Sequence, residues 1–301
     1  MGVFEMDFMN KPLRSGIFAI CLVVVSGILN GSVARASELT VEAEAANRVN
    51  FAGRQRMLSQ QIARNACFVM ANIDPERFAA KTETAVRQFD TALKGLRYGD
   101  ANLGLFEETR EEVLAHLTAV DRVWATFGPA SRQISAGDMH PVPMMQLIGL
   151  NLETRKHMND AVEAIRLDTS KVAISENLAR TIDLAGRQRM LSQQASKELC
   201  FTILRIDGAG ASGQLDRTVA AFDAAMQQLL EGAPDKGIVP PPNRQVKKQL
   251  ERTARVWKQF KDVMNEFSTN PDLPDGDRVM LANMSDQVLR EMDLAVKMYA
   301  P

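Results

Sequence analysis

Three features of this 301-residue sequence predict an all-α fold of two tandem up-down four-helix bundles. The first is an internal duplication. The block Ala52-Gly53-Arg54-Gln55-Arg56-Met57-Leu58-Ser59-Gln60-Gln61 returns unchanged at residues 185–194, a shift of 133 residues. The same shift carries Cys67-Phe68 onto Cys200-Phe201, Phe89-Asp90 onto Phe222-Asp223 and Trp124 onto Trp257. The second is composition: aromatics are only 6% of the chain, while the strong helix formers Ala, Leu, Met, Glu, Gln, Lys and Arg abound. The third is punctuation. Gly and Pro cluster between periodic segments, and nothing alternates with period two.

Residues 1–36 have the pattern of an export signal. Lys11 and Arg14 precede an apolar run of about 14 residues, and Ala34-Arg35-Ala36 offers a small-x-small cleavage site. The alternative is an uncleaved anchor, but such a run is short of the roughly 20 residues that a membrane helix needs. Cleavage after Ala36 would leave a periplasmic protein. Of 36 basic and 37 acidic residues the leader removes three and two, which leaves 33 and 35, a net charge of −2. With no basic stripe, nucleic acid is not an expected partner. No later segment is apolar enough to cross a membrane.

The first repeat is expected over residues 37–169. Its helices run from about Thr40 to Asn72, from Asp74-Pro75 to about Arg97, from about Leu103 to Phe127 with Gly128-Pro129 ending it, and from about Met144 to Leu167. Asp74 before Pro75 reads as a cap before a first-turn proline. The second repeat, residues 170–301, places its helices at about 171–206, 215–230, 243–267 and 277–298. Neither Gly nor Pro lies between Gly149 and Gly186. The fourth helix therefore either runs straight into the fifth, stacking the repeats end to end, or turns near Asp168-Thr169-Ser170 and packs them side by side. The turn is the favoured reading.

The repeated block lies on a helix, where positions i, i+4, i+7 and i+11 share a face. That face carries Ala52, Arg56, Ser59 and Ala63, and in the twin Ala185, Arg189, Ser192 and Ser196. It is a strip of small residues around one arginine. If the repeats meet across a pseudo-two-fold axis, Arg56 and Arg189 face each other, and like charges about 4 Å apart repel by several kcal/mol. A planar anion between them would turn repulsion into two charge-assisted pairs. The alternative is that each arginine pairs with a carboxylate of its own bundle. Cys67 and Cys200 lie on the same face, and they are either joined in a disulfide, which needs the side-by-side arrangement, or two buried thiols.

The pattern Asn50-x-Ala52-Gly53-x-x-Arg56-Met57-x-Ser59 resembles the signature helix of the periplasmic sensor domain of nitrate/nitrite-responsive histidine kinases. The longer Ala-Gly-Arg-Gln-Arg-Met-Leu-Ser-Gln form is even more similar to the N-terminal domain of the type IV pilus methyl-accepting transducer (PilJ-type). The resemblance implies a four-helix sensor domain in each repeat, with nitrate held at a symmetry axis by two arginines. It makes Arg56 and Arg189 the paired ligands of a small oxyanion, nitrate or nitrite, with Gly53 and Gly186 giving backbone access. Asp183 departs from this pattern where the first copy has Asn50. Relatives join the domain through a membrane helix to a kinase or methyl-accepting module, so a membrane-bound signalling receptor is the expected partner. The other reading is an interaction module in pilus or chemotaxis signalling that takes no small ligand.

No nucleophile triad accompanies Ser59 or Ser192. His116, His140 and His157 are scattered without metal-ligand spacing. No catalytic residue, metal or cofactor is expected, and the protein reads as a non-enzyme.

Overall fold

The computed structural model describes residues 21–169, 175–206, 211–270 and 274–299, with side chains described from residue 43 onward except at a few positions next to the gaps. Eight α-helices follow in order: α1 Cys21–Met70, α2 Pro75–Tyr98, α3 Glu111–Ser135, α4 Pro141–Thr169, α5 Glu176–Ile203, α6 Ala211–Glu231, α7 Arg244–Thr269 and α8 Asp275–Tyr299. The chain divides into Met1–Val41 and a compact unit, Glu42–Pro301, that contains both repeats. The expected leader lies mostly outside the described residues. Among them, no helix is long and apolar enough to cross a membrane.

The expected all-α bundle is present, and α5 has its own start, behind a non-helical Ser175. Ser175 caps α5, its hydroxyl accepting from the Leu178 amide at 3.3 Å. α1 and α5 end alike. Asn72 and Arg205, equivalent at the 133 shift, both take left-handed φ, of 54° and 51°. The next amides, of Ile73 and Ile206, return to the carbonyls of Phe68 and Phe201 at 2.9 and 3.0 Å. This closure satisfies carbonyls that the last helical turn leaves open.

Three expectations are corrected. Asp74 makes no cap bond; it sits at φ 43°, and its carboxylate takes Arg77 instead. α3 does not begin near Leu103, because Gly99–Asp100 and Leu105–Glu107 form a small antiparallel hairpin that holds the chain out of a helix until Glu111. Gly99 has φ 79°, and a Cβ there would lie 2.8 Å from the Glu107 amide nitrogen, so the turn requires glycine. Finally, α3 passes through Gly128-Pro129 to Ser135. An internal proline costs a helix about 3 kcal/mol, yet Ala130 and Ile134 beyond it are each 1% exposed, and Ser131 donates to the Phe127 carbonyl at 2.7 Å. Burial of that last turn outweighs the break.

The core is one continuous apolar cluster that includes residues of both repeats. Trp124 stacks on Phe89 and Trp257 on Phe222, each with ring centroids 3.8 Å apart. Each indole N–H donates to the aspartate beside its phenylalanine, Asp90 at 2.6 Å and Asp223 at 2.8 Å. α1 and α5 lie side by side and parallel. Cys67 meets Cys200 near their C-terminal ends, while the residue pairs Arg56–Asp183 and Asn50–Arg189 meet further back.

Candidate functional site

The repeated block forms the seam between α1 and α5. Small and polar side chains there let the helices approach, and the seam is almost wholly buried: Ala52, Ser59, Ala185 and Ser192 are all 0% exposed. Arg56 and Arg189 are brought into it at 2% and 4% exposure. Neither guanidinium is free of carboxylate, however. Arg56 donates from Nη2 to Asp183 at 2.5 Å and from Nη1 to Asn159 at 3.1 Å. Arg189 donates from Nη1 to Asp293 at 3.0 Å and from Nη2 to Asn50 at 3.5 Å.

These two sets are the same set with its charges exchanged. Asp183 occupies the position of Asn50, and Asp293 that of Asn159 once α4 and α8 are superposed through Met158 and Met292. Each arginine thus meets one aspartate and one asparagine, one from its own repeat and one from the other. In the first site the aspartate comes from the other repeat; in the second it comes from the same one. Two buried cations are matched by two carboxylates, so the repulsion expected of facing, uncompensated guanidiniums is removed internally.

The titration behaviour follows. Burial opposes ionisation of Asp183, but the Arg56 and Arg187 guanidiniums outweigh it and hold the carboxyl below the usual range. Asp293 is likewise held low against burial, by the Lys297 ammonium and Arg189. Arg189 is pulled below the ordinary arginine value by burial, against the pull of Asp293, with Arg54 and Arg56 adding to the depression.

Each of the two arginines has one donor left over. Nε of Arg56 and Nε of Arg189 are both buried without a hydrogen-bond partner. Gly53 and Gly186 each lie against the arginine three residues on. The space beside each is taken by its own arginine, whose Nη2 would lie 3.6 Å from an added Cβ. The structure joins Cys67 to Cys200 in a disulfide between the repeats, with Cα atoms 6.2 Å apart.

Asn159 and Asp293 escape a reading of the repeated block because they lie on α4 and α8, where the repeat register slips by one residue. Also unforeseen is a further buried cation, Arg64, at 0% exposure. It donates to Asp286 and to Ser285, both at 3.0 Å, and Arg77 and Lys81 converge on the same Asp286 carboxylate. Among the described residues, no group of three or more His, Cys, Asp or Glu side chains is placed to hold a metal ion.

The profile described as "Type IV pili methyl-accepting chemotaxis transducer N-term" fits residues 39–147 and again residues 172–279, well over half of the chain. No curated protein matches this sequence.

Proposed function

Because the chain belongs to the family of type IV pili methyl-accepting chemotaxis transducer N-terminal domains, carried here twice in tandem, we propose that it is an exported, non-enzymatic sensory module that hands its signal to a membrane-bound receptor of pilus or chemotaxis signalling. The observation that carries this reading is the internally neutralised seam. With Asp183 on Arg56 and Asp293 on Arg189, the seam acts as a joint that couples the two repeats, and the joint needs no bound ion to hold its charges. The disulfide between the repeats suits an oxidising compartment such as the periplasm.

A second reading, in which the seam takes a small oxyanion such as nitrate or nitrite, is favoured by the two partnerless Nε–H groups. A buried unpaired donor costs roughly 1–3 kcal/mol, and an oxyanion accepting from both would recover that. Calorimetry with nitrate, nitrite and chloride separates the readings. The joint reading expects no saturable binding, together with anion-independent co-purification with a methyl-accepting membrane receptor. Saturable nitrate or nitrite binding that is lost in Arg56→Ala would overturn it in favour of the oxyanion.

A further inference from the structure

Arg64 has a twin, and the twin lacks the carboxylate partner that Arg64 has. Lys197 stands 133 residues after Arg64 and is 7% exposed. Superposing α4 on α8 places Asn151 on Ser285, and these are the residues that bond Lys197 and Arg64 respectively. The next pair in that register is Leu152 and Asp286. The carboxylate that gathers Arg64, Arg77 and Lys81 in one cleft is therefore a leucine in the other.

Lys197 is held by two neutral acceptors instead, Gln60 Oε1 at 2.9 Å and Asn151 Oδ1 at 2.8 Å. An ammonium has three donors, and beyond these two acceptors it lies over the Phe201 ring, 5.7 Å from the centroid. Arg155 stands where α8 has Leu289, adding a cation the twin cleft does not have, and it donates to Gln194 Oε1 at 2.8 Å. Among the described residues neither cation makes an ion pair with a carboxylate. Burial pulls the Lys197 ammonium down to about 8, which still leaves it charged at neutral pH.

Both cations line a cavity of about 220 Å³ between α4 and α5, along with Ile148, Leu152 and Phe201. Glu198 lines it too, 2% exposed. Its Oε1 accepts from Gln194 at 2.7 Å, and its buried Oε2 has no partner. The cavity therefore offers two cations whose hydrogen bonds go to neutral oxygens, the Glu198 carboxylate, which supports the Lys197 charge against burial and keeps one oxygen short of a donor, and a small apolar wall. Few ligands present the complement of all three. Desolvated charges of this kind are stabilised by pairing with opposite charge, and a small pocket with a few convergent polar groups is the usual form of a ligand site.

We propose that this cavity binds a small α-amino acid, its carboxylate accepting from Lys197 and Arg155 and its ammonium donating to the free oxygen of Glu198. The ligand's carboxylate takes the part that Asp286 plays in the other cleft, and the volume restricts the side chain to a short one. The site is separate from the arginine seam and stands whichever reading of that seam holds.

The test is isothermal calorimetry at neutral pH with glycine, L-alanine and acetate as probes. Saturable binding of glycine or alanine is expected, with acetate at least tenfold weaker for want of the ammonium. Leu152→Asp changes a residue that is 58% exposed, so the fold survives it. The new carboxylate answers Lys197 from within, as Asp286 answers Arg64, and should weaken amino-acid binding at least tenfold. Glu198→Gln should weaken the amino acids without changing acetate. Absence of binding by both amino acids, or binding unmoved by Leu152→Asp, overturns the site. Acetate binding as tightly as alanine overturns the amino-acid assignment.

Discussion

Arg56 of the first repeat donates to Asp183 of the second at 2.5 Å, in the position where the first repeat offers Arg189 only the neutral Asn50, at 3.5 Å. The duplication has thus broken its own symmetry at this pair of positions, and the aspartate brings a negative charge across the seam.

Replacing it tests what the charge does. Asp183→Asn restores the asparagine that the other copy carries and leaves Arg56 buried with amide partners alone. Removing one member of a buried pair costs about 3–5 kcal/mol, so the urea midpoint should fall by the corresponding amount. If the seam takes an oxyanion, the same variant should bind nitrate more tightly than the parent protein by calorimetry, because the internal competitor has gone.

The Cys67–Cys200 disulfide closes a span of 133 residues. A cross-link over a loop of that length typically stabilises by about 2–4 kcal/mol. Reduction, or replacement of both cysteines by alanine, should lower the unfolding midpoint accordingly while the helical circular-dichroism signal at low denaturant stays unchanged.

Stability should depend on pH at both ends of the scale. Asp183, Asp286 and Asp293 all titrate below the usual carboxylate range in the fold, each against the cost of burial. Their contribution is complete above the unfolded value of about 4 and is lost as pH falls through the lower folded values. Lys197 works in the opposite direction. Its folded value of about 8 lies below the ordinary 10.5, so the unfolded chain binds more protons between these limits and stability rises with pH. The gain is at most about 3 kcal/mol and should be absent in Lys197→Met. Burial raises Tyr299 to about 12, which removes stability above pH 10. Burial lowers Lys81 as well, so urea titrations from pH 7 to 10 on the parent and on Lys197→Met are compared, and their difference is the Lys197 part.

Much of the architecture could be read from residue types because the repeat kept its spacing where packing is strict. Arg56 and Arg189, the tryptophans and the cysteines all sit at one shift, and the structure brings each pair into equivalent surroundings. The hairpin was overlooked although its signal is duplicated. Gly99 and Gly104 recur as Gly232 and Gly237, all four with positive φ, and the bridge between Ala233 and Ile238 repeats the pairing of Asp100 with Leu105. Two glycines five residues apart mark a tight turn, but the short strands lack the alternation that would announce them. The partners of the arginines were hidden for another reason. α4 and α8 follow a shift of 134 instead of 133 and share few identities, so Asn159 and Asp293, or Leu152 and Asp286, cannot be paired until the helices are seen side by side. Whether an arginine in a seam meets a ligand or an aspartate is decided by such long-range neighbours, not by its own motif.

The crossed placement of Asp183 has a consequence for the two halves as separate polypeptides. A first repeat produced alone would lose the carboxylate that Arg56 meets, whereas the second alone would keep its own pair, Arg189 with Asp293. The dependence runs both ways: Arg56 of the leading half needs Asp183 of the trailing one, Lys197 of the trailing half takes both its acceptors from the leading one, and a substitution at residue 183 is felt by a helix more than a hundred positions upstream. Copies that began interchangeable have become a single obligate unit.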